Sequence, residues 1–179
     1  MAQLRRAHTA ELSTAELGEV RRLLEGAFAE GFGDDDWDHT VGGVHVLVLD
    51  RGELVGHVAV VQRRLVHRNR AVRAGYVEGL AVRGDRRRRG HAAAAMTGAE
   101  RVIERAYDLG ALSDGTGIEG YYQRRGWLAW AGPTFVLGPD GPRWTPEEDG
   151  AVLVRRTPTS PELDLSAPLG CDWRPGDAW

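Results

Sequence analysis

A chain of 179 residues that is 42% hydrophobic and 27% charged has the balance of a single globular domain spanning residues 1–179, since about 150 residues per domain is the usual scale. That apolar content excludes disorder as the main state. The longest uncharged apolar runs, at 44–49, 58–61 and 92–96, fall far short of the roughly 18 residues a membrane helix needs.

Residues 1–6 have no apolar stretch behind them, so no secretory signal is expected and the cytoplasm is the default compartment. The single cysteine, Cys171, cannot form an internal disulfide, and no Cys/His spacing suggests a metal site. All 23 basic residues are arginine, which reads as compositional bias. The net charge of −3 conceals segregation along the chain. Between residues 25 and 53 there are eight acidic residues and one arginine; between 62 and 89 there are ten arginines against Glu78 and Asp85; between 140 and 179 there are eight acidic residues and four arginines. Such runs can be plain solvated faces. They can equally be an anion site in the middle and a cation site built from the flanks.

In chain order, Ser13-Thr14-Ala15-Glu16 is a capping-box pattern. Leu17, Val20, Leu24, Ala27 and Phe28 follow at helical spacing, which predicts a helix over 14–30. Residues 31–38 (GFGDDDWD) read as a loop. Three strands joined by short turns are expected at 44–50, 54–68 and 71–82, forming a meander. The period then changes, and an Ala-rich helix is predicted over 90–109 with Gly110 as its C′ residue. A short buried strand at 111–113, a short helix at 117–125 ended by Gly126, and strands at 127–137 and 151–155 come next. From Thr157 onward four prolines suggest an extended tail packed on the body. The order predicts an α+β fold, a mixed, mostly antiparallel central sheet flanked by helices.

The most informative stretch is LAVRGDRRRRGHAAAAM, residues 80–96. A strand ends, a turn with four consecutive arginines follows, and Gly90 and small alanines open a helix. A helix start offers unpartnered N–H groups and a positive dipole end, and arginine adds bidentate donors. A pyrophosphate suits that geometry. Nucleic acid is the competing anion for Arg86–Arg89, although net charge is negative and no helix carries an arginine stripe. An ordinary exposed loop is the bland alternative.

Arg87-x-x-Gly90-x-Ala92 resembles the pyrophosphate signature of the GNAT acetyltransferases. The segments DWDHTVGG (36–43), GYVEGLAVR (75–83) and CDWRPGDAW (171–179), with Gln62-Arg63-Arg64-Leu65 and Arg125-Gly126-Trp127, resemble the aminoglycoside 2′-N-acetyltransferases of that superfamily. The resemblance covers nearly the whole chain. The family pattern has an aspartate at the position of Gly31 and paired aspartates at those of Glu147 and Glu148.

The resemblance implies the GNAT fold, acetyl-CoA as co-substrate held by Leu80, Ala81, Val82, Arg87, Arg88, Arg89, Gly90, His91 and Ala92, no metal, and a homodimer. Leu80 N–H would lie nearest the acetyl carbonyl. It implies an aminoglycoside bound by Asp36, Glu78, Ser113, Glu147, Glu148, Asp177 and the terminal carboxylate of Trp179. It also implies direct acetyl transfer to the drug's 2′-amine in a ternary complex, giving antibiotic resistance.

An alkyl amine arrives largely protonated, so transfer needs a base, and the leaving thiolate needs an acid. Glu78 lies two residues before Leu80 and shares its strand face, which suits a base; an ion pair with a nearby arginine is the alternative. Tyr122 is the acid by resemblance, where a core tyrosine is the bland alternative. Acidic loops can serve solubility alone, yet a terminal tryptophan would be wasted in water. Other possibilities are a GNAT enzyme for a different cationic metabolite and a nucleic-acid-binding module.

Overall fold

The computed structural model describes residues 2–115 and 120–179, the side chain of Glu30 excepted. The chain forms two compact units, Met1–Val61 with Val77–Val102, and Gln62–Tyr76 with Ile103–Trp179.

In the first unit the chain opens with β1 (Gln3–His8), an element absent from the sequence reading. Helix α1 (Thr14–Phe28) follows, capped as expected: Ser13 N–H donates to Glu16 Oε2 at 2.8 Å, and Glu16 N–H donates to Ser13 Oγ at 3.3 Å. Val20, Leu23 and Leu24 of α1 pack with Ala7, Leu12, Leu47 and Ala81. The segment read as a loop contains α2 (Asp34–Thr40). Asp36 accepts the Gly33 N–H at 2.7 Å, and three aspartates in the first turn complement the helix dipole. The negative charge that suggested a loop is what favours this helix start.

β2 (Val44–Asp50) runs antiparallel to β1 and to the first part of β3 (Glu53–His67). Arg51 and Gly52, at φ 53° and 84°, make the left-handed turn between them. β4 (Arg70–Val82) completes the meander, and α3 (His91–Ala106) follows. A Cβ on Gly98 would lie 2.6 Å from Val46 Cγ1, so α3 meets β2 at a distance that requires glycine.

In the second unit β5 (Leu109–Ser113) runs parallel to β4 and antiparallel to β9 (Val152–Arg156). Gly110 is therefore a strand residue. A Cβ there would crowd Ile103, Arg155 and Trp127 at 3.1–3.2 Å, so close packing, and not a helix cap, explains the glycine. The single strand expected at 127–137 is two: β6 (Leu128–Ala129), paired with β9, and β7 (Thr134–Gly138), paired with β8 (Gly141–Trp144), which was not foreseen.

The tail is more than packed coil. Its β10 (Leu169–Asp172) runs parallel to β7 and antiparallel to the end of β3. Of the helix expected at 117–125, residues 117–119 lie outside the described residues; the remainder holds a short 3-10 turn, Gln123–Arg125, ended by Gly126 at φ 85°. Trp127 and Trp130 are buried in this unit's core. The strand pairings are antiparallel except β4–β5 and β7–β10, as an α+β fold with a mixed, mostly antiparallel sheet requires.

Candidate active site

β4 departs from strand geometry inside the first unit. Gly79 sits at φ +57°, and a Cβ there would meet Leu24 at 3.2 Å and Thr40 at 3.4 Å. Its carbonyl accepts a hydrogen bond from His57 Nδ1 at 2.9 Å. Glu78 and Leu80, on either side, are half-buried, and Ala81 is buried. The continuous strand thus carries one left-handed residue at the segment nominated for the acetyl group.

The arginine loop divides into two parts. Arg83 pairs with Glu53 and Asp85, and Arg86 pairs with Asp50, Glu53 and Asp85. Arg87, Arg88 and Arg89 are exposed and, among the described residues, form no ion pair. The run of four arginines therefore offers three to an outside anion. Gly90, at φ +81°, has no heavy atom within 4 Å of where a Cβ would sit, so its backbone is open to close approach. His91 opens α3 and is buried, with a solvent-inaccessible Nε2 that makes no hydrogen bond among the described residues. Cationic side chains, an open glycine and the N-terminus of a 16-residue helix fit the pyrophosphate of coenzyme A. Asp36 also belongs to this unit, where one carboxylate oxygen caps α2.

In the second unit Ser113, at the end of β5, donates its hydroxyl proton to Glu148 Oε2 at 2.8 Å. Burial, with the negative charges of Asp177 and Glu147, pushes the Glu148 carboxyl above the ordinary carboxylate range. Four of the nominated acceptor residues, Ser113, Glu147, Glu148 and Asp177, are thus within mutual electrostatic reach. Carboxylates gathered at a strand end suit a polycation bearing hydroxyls.

The tail that carries Asp177 is pinned. Buried Arg63 donates to Asp172 Oδ1 at 3.0 Å and to the Ala178 carbonyl at 2.7 Å. Arg63 and Arg174 both lie over the Tyr76 ring, at 5.0 and 5.5 Å from its centroid. The Trp179 ring is buried, and its Nε1–H donates to Thr145 Oγ1 at 3.0 Å. The main-chain oxygen of Trp179, nominated as a drug contact, accepts from Arg174 at 2.9 Å.

Tyr122 is buried beside Tyr121 and Trp127. Burial and the charge of Asp114 push its phenol pKa upward, so the hydroxyl stays protonated at neutral pH. Cys171 is fully buried, its thiol is raised to about 11 by burial, and it donates to the Ala178 carbonyl. A thiol in that state is a poor nucleophile.

Among the residues that organise these local frameworks, His57 and Thr145 carry no sequence signal of a role, and Arg63 and Arg174 stand in the segments that carry the resemblance without a role assigned to them. A signal of burial was available for His57 and Arg63: a histidine and an arginine inside the apolar strand β3 must each bury a polar group that needs a partner.

A strand with a left-handed glycine, an arginine-rich turn and an open helix start suit an acetyltransferase fold, and the chain belongs to the GNAT acetyltransferase family. The family model described as Acetyltransferase (GNAT) domain matches residues 8–129. The chain is 47% identical over 174 residues, 96% of this chain and 89% of the relative, to aminoglycoside 2′-N-acetyltransferase of Mycolicibacterium fortuitum.

Solved structures share the fold. The GNAT family N-acetyltransferase YhbS from Escherichia coli, in complex with CoA, aligns with a TM-score of 0.61 and 15% identity over 94% of this chain and 88% of its own. Eis1 from Mycobacterium abscessus aligns with a TM-score of 0.60 and 19% identity over 75% of this chain; the match spans 33% of that longer protein.

Proposed function

We propose that this chain transfers the acetyl group of acetyl-CoA to the 2′-amine of aminoglycoside antibiotics by direct attack in a ternary complex. The gathering of Ser113, Glu147, Glu148 and Asp177 is the observation that carries the cationic acceptor, and the likeness to an aminoglycoside 2′-N-acetyltransferase gives it its chemical identity. When bound, acetyl-CoA supplies an acetyl group activated as a thioester. Leu80, Ala81, Val82, Arg87, Arg88, Arg89, Gly90, His91 and Ala92 hold it.

Leu80 N–H polarises the acetyl carbonyl; removing one such donor costs about 3–4 kcal/mol where it has been tested. Glu78 accepts the proton that the amine loses as its nitrogen bonds to the acetyl carbon. Tyr122 gives its proton to the sulfur as the carbon–sulfur bond breaks, and solvent restores that proton. Asp36, Glu147, Glu148, Asp177 and the tail ending at Trp179 hold the drug's ammonium groups. The buried, hydrogen-bonded thiol of Cys171 supports direct transfer over a covalent relay.

Acetylation removes a positive charge from the drug, which weakens its hold on RNA phosphates; resistance follows. On the family pattern we take residues 1–179 as one catalytic domain and place it as a homodimer in the cytoplasm.

Thiol release from acetyl-CoA, measured against aminoglycosides with and without a 2′-amine, tests the proposal. Release confined to the 2′-amino drugs is expected. Equal rates with drugs lacking that amine overturn the regiochemistry, and no release with any of them overturns the substrate class.

A further inference from the structure

The first unit contains a continuous hydrogen-bonded chain that ends at the left-handed Gly79. Thr9 Oγ1 lies 2.8 Å from His45 Nε2, His45 Nδ1 lies 2.9 Å from His57 Nε2, and His57 Nδ1 lies 2.9 Å from the Gly79 carbonyl oxygen. Both histidines are 0% exposed. They sit on β2 and β3, where Leu47 pairs with His57 and His45 with Ala59, so the two rings are diagonal neighbours on one sheet face.

The direction of the chain is forced. A carbonyl oxygen only accepts, so His57 Nδ1 carries a hydrogen and donates it to Gly79. Burial lowers the pKa of His57 to about 3 and that of His45 to about 4, so both rings are neutral near pH 7. Neutral His57 therefore accepts at Nε2. His45 must then donate from Nδ1 and accept at Nε2, which leaves the Thr9 hydroxyl as donor. Gly42 N–H donates to Thr9 Oγ1 at 2.8 Å, and the hydroxyl hydrogen has two acceptors in reach, the Gly43 carbonyl at 3.2 Å and His45 Nε2 at the shorter 2.8 Å.

The last link bears on the reaction. The Gly79 carbonyl and the Leu80 N–H belong to one peptide group, and no peptide among the described residues is cis. A trans peptide points its carbonyl and its N–H in opposite directions. Gly79, at φ +57°, has left the strand conformation that would otherwise fix this group, and the His57 ring holds the carbonyl in its place.

We infer that the buried Thr9–His45–His57 chain is a positioning device that fixes the 79–80 peptide plane and so aims Leu80 N–H at the acetyl carbonyl. This rests on the assignment of Leu80 N–H proposed above. His57 touches no substrate; it acts through the backbone.

Two variants and one spectrum test it. His57→Leu removes the donor to Gly79. His57→Asn keeps an amide N–H near the position of Nδ1 and loses only the link to His45. The expected result is a kcat lowered about 10- to 100-fold in His57→Leu, somewhat less than outright removal of such a donor costs, with substantial recovery in His57→Asn. Affinity for free coenzyme A, which has no acyl carbonyl, stays unchanged in both.

In the wild-type protein without substrate, NMR of the ring nitrogens is expected to show both histidines as neutral Nδ1–H tautomers. An Nε2–H tautomer at His57 overturns the inference, even where His57→Leu fails to fold. So does an unchanged kcat in His57→Leu, or a loss of coenzyme A affinity parallel to the loss of kcat. Wild-type protein that releases no thiol with any amine overturns instead the acetyl-transfer proposal on which this rests.

Discussion

The hydroxyl of Ser113 donates to the carboxylate of Glu148 across 2.8 Å, joining the end of β5 to the turn that precedes β9. The bond favours the ionised form of Glu148, yet burial and the neighbouring Asp177 and Glu147 outweigh it and raise the pKa. Only the ionised carboxylate attracts an ammonium group. The aminoglycoside KM should therefore rise as pH falls through a value above the ordinary carboxylate range, with little change in the KM for acetyl-CoA. Asp177→Asn removes a repelling charge and should move that limb to lower pH. Glu148→Gln should abolish it and raise the drug's KM about tenfold or more, the worth of a hydrogen bond to a charged group. Steady-state kinetics between pH 4.5 and 8, a window of about 3.5 units around the carboxylate and histidine ranges, read both effects. A limb that stays in place in Asp177→Asn removes Glu148 from drug binding.

In the proposed mechanism the chemical step uses Glu78 as base and Tyr122 as acid. Tyr122 is protonated through neutral pH because burial and the charge of Asp114 raise its pKa, so it has a proton to give. Tyr122→Phe should lower kcat about 100-fold, at the low end for loss of a general acid, and leave coenzyme A affinity intact. Glu78→Gln should lower kcat comparably and change the pH profile, since the amine must then lose its proton to solvent. Full turnover in Tyr122→Phe, or an unaltered profile in Glu78→Gln, takes each residue out of its role.

Much of this was legible in residues and some was not, for physical reasons. The Ser13–Glu16 capping box and the run at 44–50 are local signals, and the structure repeats them. β1 has one buried residue, Ala7, and among the described residues pairs with β2 alone, so its sequence shows no alternation to read. β10 is four residues with a glycine, and its strand character comes from its partners β3 and β7. The acidic acceptor residues stood out as a charge run. His45 and His57 did not, because a histidine in an apolar strand announces burial without naming its partner. That partner is set by the β2–β3 register, which is tertiary information.

The tail positions Asp177 through Arg63, whose side chain is 4% exposed and whose guanidinium holds Asp172 and the Ala178 carbonyl. Arg63→Ala removes the guanidinium from both, leaving the Ala178 carbonyl with the Cys171 thiol. It should cost about 3 kcal/mol, roughly 6–12 °C in Tm at this chain length. Deleting residues 177–179 removes Asp177 and the Trp179 anchor, and should raise the drug's KM far more than that of acetyl-CoA. Calorimetry and substrate kinetics on the two variants separate fold from site. Equal changes in both KM values would show that the tail does not serve the acceptor.

The buried histidine pair also sets how the protein responds to acid. An unfolded histidine titrates near 6.5, whereas burial lowers His45 to about 4 and His57 to about 3. The nearby imidazole of His8 adds to the effect on His45, and the His45 ring adds to that on His57. Between those values and 6.5 the unfolded chain binds protons that the native state refuses, so stability is complete above about pH 6.5 and falls as pH drops toward 4. Each ring contributes a slope of about 1.4 kcal/mol per pH unit in that window. His57→Asn removes one titrating ring and should flatten the dependence of unfolding free energy on pH between 6 and 4, bounded by the two histidine values. Urea denaturation across that range measures it, and an equally steep slope in the variant would mean that His57 is already protonated in the native protein.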